Sequence, residues 1–384
     1  ITSTKLRYKA FLEIFKPIYD SYQNYLSNRN EIDFSDMINL ASKFIERGDY
    51  KSKYKYILID EFQDISMGRY ELIRSLKKVN PHSRLFVVGD DWQSIYRFTG
   101  SDISLFKNFE HYFGVSEKSK IETTYRFSNP IIKLSSDFIQ KNPNQEKKIL
   151  KSGLSMRILN KKTEYEIIHS DSDELDVTDT LKIIFDDLIR MYSDIEKKSI
   201  MILGRYSFDI NRIQNENNIF NINKEDYSIK YTIKSNLNEV KTINAFFLTV
   251  HKSKGLEADI VIIINCNSGK HGFPSEMSDD PILNLVLSET DQFPNGEERR
   301  LFYVALTRAK EFVYLLTHNV YKSKFIYELE ESDTKIDNSK KCPYCKTATL
   351  ILKKEGKSVN GDRYKFFGCS NYIYGCDFSF SEWD

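Results

Sequence analysis

The stretch Tyr56-Ile57-Leu58-Ile59-Asp60-Glu61-Phe62-Gln63-Asp64 places two adjacent carboxylates directly after a four-residue apolar run. A run that is apolar on both faces predicts a central strand of a parallel sheet, covered by helices on both sides. Ligands of such sheets bind beyond the carboxyl ends of the strands. Asp60 is thereby a candidate Mg²⁺ ligand and Glu61 a candidate base for the attacking water. In-line displacement at a γ-phosphate needs both charge neutralisation and an oriented nucleophile. The competing reading is an Asp-Glu pair that caps the next helix.

Four further blocks follow in order. Leu85-Phe86-Val87-Val88 runs into Gly89-Asp90-Asp91-Trp92-Gln93-Ser94-Ile95-Tyr96-Arg97-Phe98-Thr99-Gly100. Then come Glu122-Thr123-Thr124-Tyr125-Arg126, Leu248-Thr249-Val250-His251-Lys252-Ser253-Lys254-Gly255-Leu256-Glu257, and Glu297-Glu298-Arg299-Arg300-Leu301-Phe302-Tyr303-Val304-Ala305-Leu306-Thr307-Arg308-Ala309. Together with the Asp60-Glu61 block they resemble motifs II to VI of the UvrD/Rep-type superfamily 1 DNA helicases. The short interval between the Glu122–Arg126 and Leu248–Glu257 blocks is most similar to the helicase IV branch. The resemblance runs from residue 31 to about residue 320.

It implies RecA-like parallel sheets flanked by helices, ATP and Mg²⁺ as cofactors, and single-stranded or tailed duplex DNA as partner. By the same resemblance Tyr125 stacks on adenine, Arg126 reaches the γ-phosphate, Arg308, on a helix that begins near Glu297, is an arginine finger, and Glu257 touches the ribose. Gly255 permits a tight turn beside the nucleotide. A guanidinium suits the phosphate roles because it is always charged and forms a bidentate fork. Arg299 and Arg300 are alternatives to Arg308, against an ion pair of either with Glu297 or Glu298. An amide at Gln93 can bond the attacking water or the γ-phosphate. Tyr96 and Phe98, two apart in an extended segment, would point the same way and stack on unpaired bases, with core packing as the rival for Phe98. Thr249 and His251 end a strand from which a DNA phosphate can be held. Trp92 is expected at a surface or interface, outside the site.

A helicase of this type also needs Gly-x-x-x-x-Gly-Lys-[Ser/Thr], whose amides and lysine cradle phosphates. The sequence holds no such stretch, and it opens on Ile1. The expectation is a C-terminal part of a longer helicase, inactive alone, whose first RecA-like unit is incomplete.

At 384 residues, two or three domains are expected. The proposed division is 1–30, the end of a helical insertion; 31–115, half of the first RecA-like domain; 116–330, the second RecA-like domain with a reduced insertion; 331–340, a linker; and 341–384, a zinc ribbon. Phe11, Leu12, Phe15 and Ile18 recur at helical spacing in the first segment. Asp33-Phe34-Ser35-Asp36-Met37 starts another helix and resembles a family segment of the form Asp-Phe-x-Asp-Leu, with Asp33 or Ser35 as N-cap set against a nucleotide role. Strands are predicted at 164–169, 199–204, 246–250, 260–265 and 311–317. About 120 residues separate Arg126 from Thr249, so the subdomain inserted there in UvrD and Rep is expected to be absent or vestigial, with 215–239 left to form it.

A net charge of +1 supplies no whole-molecule attraction for nucleic acid, so binding must be local. The longest apolar run, Ile260 to Ile264, is far short of a membrane span, and a cytoplasmic protein is expected.

Four of the five cysteines fall as Cys342-Pro343-Tyr344-Cys345, Cys369 and Cys376. Two cysteine pairs flanking a hairpin fit a tetrahedral four-thiolate Zn²⁺ site. Gly368-Cys369-Ser370-Asn371-Tyr372 is similar to the C-terminal zinc ribbon of type IA topoisomerases, where Tyr364, Phe366, Phe367 and Tyr372 would stack on bases or pack around the metal. Cys266, after the Ile260–Ile264 run, reads as a buried core thiol.

Two function classes stay open. One is an ATP-dependent 3′-to-5′ helicase that translocates on single-stranded DNA. The other is a nucleic-acid-binding or polymerase-associated remodelling ATPase without processive unwinding, in phage defence. Strand displacement on a 3′-tailed duplex separates them.

Overall fold

The computed structural model describes residues 2–127, 129–153, 165–170, 177–213, 219–234, 240–288, 291, 293–337, 342–344, 350–357, 363–369 and 376–383. They form two compact units, residues 1–119 with 278–297, and residues 120–277 with 298–384.

The first unit opens with α1 (Thr2–Arg29) and α2 (Phe34–Glu46). Asp33 caps α2 in a reciprocal capping box with Asp36, which settles the local reading of that segment. The apolar residues of α1 are at helical spacing, yet Phe11, Leu12, Phe15 and Ile18 are all exposed. Then come β1 (Tyr56–Ile59), α3 (Met67–Val79), β2 (Arg84–Val87), α4 (Ile103–Lys107) and α5 (Phe109–Phe113). β1 and β2 pair in parallel, from Tyr56 opposite Arg84 to Ile59 opposite Val87. One face of this ribbon packs Ile59, Leu85 and Val87 against Phe62, Ile65, Ile73, Leu105, Phe106, Phe109 and Phe113. The other face departs from the sequence expectation. Tyr56, Leu58, Phe86 and Val88 are exposed.

The second unit meets the rule in full. Its elements are β3 (Thr123–Thr124), α6 (Asn129–Ile139), β4 (Lys151–Ser152), β5 (Tyr165–Ser170), α7 (Val177–Met191), β6 (Ile200–Gly204), β7 (Phe220–Ile222), β8 (Ser228–Lys234), β9 (Val240–Thr249), α8 (Val250–Ser253), β10 (Ala258–Ile263), α9 (Gly296–Leu306), β11 (Ala309–His318) and α10 (Lys324–Asp337). A seven-stranded sheet has the order β5-β11-β10-β6-β9-β8-β7, parallel from β5 to β9. Ile200, Ile202, Ile260 and Ile262 join Leu181, Ile184, Phe185 and Leu188 of α7 in one core. Met201, Leu203, Val261 and Ile263, of opposite parity, are equally buried.

The segment expected to be a remnant subdomain is part of this sheet. β7 and β8 form an antiparallel hairpin, and β8 pairs along β9 from Ser228 opposite Phe246 to Lys234 opposite Val240. The cross-strand register gives these Asn- and Lys-rich residues a place that local composition does not signal. Residues 214–218 and 235–239 lie outside the described residues.

A separate three-stranded antiparallel sheet follows: β12 (Leu350–Lys357), β13 (Arg363–Cys369) and β14 (Ser379–Trp383). Among the described residues no helix is long and apolar enough to cross a membrane.

Candidate functional site

At the end of β1 the backbone turns sharply. Glu61 adopts the left-handed conformation, φ 49° and ψ 42°, which a residue with a side chain takes only under constraint. Asp60 Oδ1 accepts the Glu61 backbone N–H at 2.9 Å, and both carboxylates are exposed at the strand's carboxyl end. Neither caps α3. That role belongs to Ser66, whose hydroxyl accepts from Arg69 N; Glu61 stands at the N-cap position of the short helical turn Phe62–Asp64 but makes no side-chain cap hydrogen bond.

What holds Glu61 was missed in the sequence. The fully buried Gln63 donates its amide N–H to Glu61 Oε2, while its Oε1 accepts the Asp90 backbone N–H at 2.9 Å. Gly89 makes this possible, since a Cβ there would stand 2.7 Å from Gln63 Oε1. Asp90 in turn accepts from Gln93 Nε2 at 2.7 Å and from Trp92 N at 3.1 Å. One chain of hydrogen bonds therefore runs Glu61, Gln63, Asp90, Gln93, joining the ends of two parallel strands. Its only sequence signal was an amide two residues beyond Glu61.

Trp92 is 0% exposed, which corrects the expected surface role: the turn over residues 91–93 folds its indole inward. Residues 97–99 also form a tight helical turn rather than an extended segment. Even so, the Tyr96 and Phe98 rings lie 6.1 Å apart. Phe98 is 59% exposed, so core packing does not account for it. Burial raises the Tyr96 hydroxyl's pKa, with the charges of Asp64 and Glu61 adding to the effect.

In the second unit Tyr125 follows β3, 73% exposed, with its ring against Gly153, where a Cβ would meet Tyr125 Cε1 at 2.3 Å. Arg126 donates from Nε to Glu257 Oε2 at 2.9 Å. The other oxygen of Glu257 pairs with Lys310 Nζ at 2.8 Å, a residue that sequence reasoning passed over. Hydrogen bonds from Lys310 and then Arg126 hold the Glu257 carboxyl below the usual carboxylate range. Gly255 sits at φ +82°, and a Cβ added there would meet no heavy atom within 4 Å, so glycine is required by conformation and not by space.

Arg308 lies just past the end of α9, not on it, and is 1% exposed. Its guanidinium bonds the carbonyls of Val304 and Leu256 and the Thr307 hydroxyl, tying the Gly255 turn to the helix end. Thr249 ends β9 and caps α8 through Lys252 N, and His251 falls within α8 rather than at the strand end. The two alternative arginines are also placed. Arg299 is buried against Glu328, Nη1 to Oε2 at 2.7 Å and Nη2 to Oε1 at 2.8 Å, with the Phe138 and Phe325 rings on its faces. Its bidentate partner is Glu328, and Glu298 binds Arg205. Arg300 is 4% exposed.

Beyond α10, the Sγ atoms of Cys342, Cys369 and Cys376 lie within 4.8 Å of one another, all buried, with Phe367, Phe378 and Phe380 packed around them. Three convergent thiols with no disulfide suit a soft divalent ion. Cys345 and Tyr372 lie outside the described residues. Cys266 is a buried thiol whose pKa is driven far up by burial, as expected of a core residue.

Carboxylates at the carboxyl end of a parallel strand in one unit, and a guanidinium-carboxylate pair beside the start of β10 in the other, suit an α/β protein of the nucleotide-handling kind. The model of the UvrD/REP helicase N-terminal domain matches residues 3–114, and that of the UvrD-like helicase C-terminal domain matches residues 208–320. The chain belongs to the UvrD-like helicase family. It is 34% identical to DNA helicase IV of Escherichia coli over 325 residues, covering 85% of this chain and 43% of that protein. It is 26% identical to a probable DNA helicase of Mycoplasma pneumoniae, covering 80% and 53%, and 35% identical to DNA helicase II of Rickettsia typhi, covering 36% and 21%. The chain spans about half the length of the first two relatives.

Proposed function

We propose that this chain is the C-terminal part of an ATP-dependent 3′-to-5′ DNA helicase, acting with a phosphate-cradling loop that its own 384 residues lack. The observation that carries the reading is the Glu61-Gln63-Asp90-Gln93 chain, which holds a base at one strand end and a sensing amide at the next. Glu61 takes the proton of the attacking water. Gln63 fixes the orientation of its carboxylate. Gln93 follows nucleotide state toward Tyr96 and Phe98, which stack on unpaired bases. Arg126 binds the γ-phosphate, Tyr125 stacks on adenine, and Glu257, on the turn at Gly255, takes the ribose. Arg308 serves the transferred phosphoryl by exchanging its carbonyl bonds for phosphate oxygens. Thr249 and His251 hold a DNA phosphate.

Asp60 suits Mg²⁺: it offers a hard, exposed carboxylate oxygen beside the one bonded to Glu61 N. Mg²⁺ bound there supplies charge neutralisation on the phosphates. Cys342, Cys369 and Cys376, with Cys345 as fourth ligand, hold one Zn²⁺. The protein works in the cytoplasm on single-stranded or 3′-tailed duplex DNA.

A second reading, a remodelling ATPase without processive unwinding, draws support from the β7–β8 hairpin, which occupies the interval where a mobile helical subdomain would insert. Strand displacement by the longer protein on a 3′-tailed duplex decides. Displacement with ATP supports the helicase, and DNA-stimulated hydrolysis without displacement supports the remodelling ATPase.

A further inference from the structure

Arg126 is held by one edge. Its Nε donates to Glu257 Oε2 at 2.9 Å, and among the described residues its two terminal nitrogens have no hydrogen-bond partner. Glu257 is held from the opposite side by Lys310 Nζ at 2.8 Å. Lys310 is the second residue of β11, a strand paired through Ala309 with Ala258, immediately after Glu257. The lysine stem thus rises from the start of an interior strand, next to the turn that carries the carboxylate.

The consequence is geometric. A guanidinium gripped through Nε keeps a fixed plane and turns both Nη groups outward, which is the edge a phosphate uses for two parallel hydrogen bonds. A carboxylate accepting from Arg126 alone would pivot with it. With Lys310 on its second oxygen, Glu257 has two anchors, and a carboxylate still keeps lone pairs for a hydroxyl. The groups are 32–41% exposed, so each ion pair adds little to stability, and their pairing matters through orientation.

We propose that Lys310 is a positioning residue for the nucleotide site: it fixes Glu257, which fixes Arg126 with both terminal nitrogens presented to a phosphate. This rests on the reading of Arg126 as the phosphate-binding arginine. Several alternatives in the molecule carry less. The exposed apolar face of β1 and β2 has nothing on it to name an occupant, and the Tyr206, Phe208 and His271 cluster has its arginine already committed to Glu298.

The test is steady-state ATP turnover by the longer protein that carries the phosphate loop, in Lys310→Met, Lys310→Arg, Arg126→Ala and the Lys310→Met/Arg126→Ala pair. Removing the lysine charge should lower kcat/KM about three- to tenfold, mainly through kcat, with the thermal transition unchanged. Arginine at 310 should restore most of it. In the Arg126→Ala background Lys310→Met should have no further effect, because both act through one contact. If Arg126→Ala is impaired while Lys310→Met is normal, or if the two losses simply multiply, the positioning role is wrong although the phosphate role of Arg126 stands. If Arg126→Ala turns over normally, both fall together.

Discussion

The functional groups of the two α/β units are held by opposite means. In the first, the functional groups are exposed carboxylates and amides held by short hydrogen bonds to one buried glutamine, Gln63. In the second, the functional groups are cations embedded in ion pairs and aromatic faces: Arg126 and Lys310 on Glu257, Arg299 between Phe138 and Phe325 on Glu328, Arg205 on Glu298. The difference teaches where sequence changes will be felt. An exposed acid can be neutralised with little cost to folding, whereas a buried cation carries part of the unit's stability along with its chemistry.

The C-terminal sheet takes the second strategy to its limit, since its described core is three thiols and Leu350 with a few half-buried phenylalanines. A module this small cannot bury enough apolar surface alone. One Zn²⁺ per chain is expected by metal analysis, and chelation should unfold the β12–β14 sheet while the seven-stranded sheet keeps its circular dichroism. Structural zinc sites contribute on the order of 10 kcal/mol, so this is the largest effect expected. Protein purified without chelator and free of zinc would remove the claim.

Arg299→Ala comes next. It leaves Glu328 partly buried without its bidentate partner and opens a gap between two rings, for a cost of about 3–5 kcal/mol by urea unfolding of the second unit. By contrast Asp60→Asn should shift the unfolding midpoint by an amount within roughly 0.5 kcal/mol, as surface substitutions do. Equal losses at the two positions would erase the contrast between the units.

A smaller effect is expected at Phe98, 59% exposed beside Tyr96. Phe98→Ala should weaken single-stranded DNA binding by about 1–3 kcal/mol in a fluorescence titration, with stability unchanged. Unaltered affinity would take Phe98 out of the DNA site.

Much of this was legible because continuous apolar runs such as Ile260–Ile264 announce buried parallel strands, and because the carboxylates follow a strand end directly. The parts that were not legible depend on partners far away in sequence. Gln63 matters because Gly89 lets Asp90 approach it across 27 residues, and Lys310 matters because Ala309 at the start of β11 pairs with Ala258 at the start of β10. Trp92 is expected at a surface or interface, yet a single turn buries it. The hairpin of β7 and β8 is polar in composition and is fixed by pairing with β9, not by its own pattern. The open face of β1 and β2 shows the reverse case, a pattern read correctly as apolar on both faces while only one face is covered among the described residues.

The central claim is that Glu61 is the base and that its role is separable from folding and binding. The direct measurement is nucleotide affinity and single-turnover hydrolysis by Glu61→Gln in the longer protein that carries the phosphate loop. The account expects affinity within about twofold of the parent and hydrolysis slower by about 10²–10⁴, the range for a lost general base. Hydrolysis at the parent rate with affinity intact would contradict it.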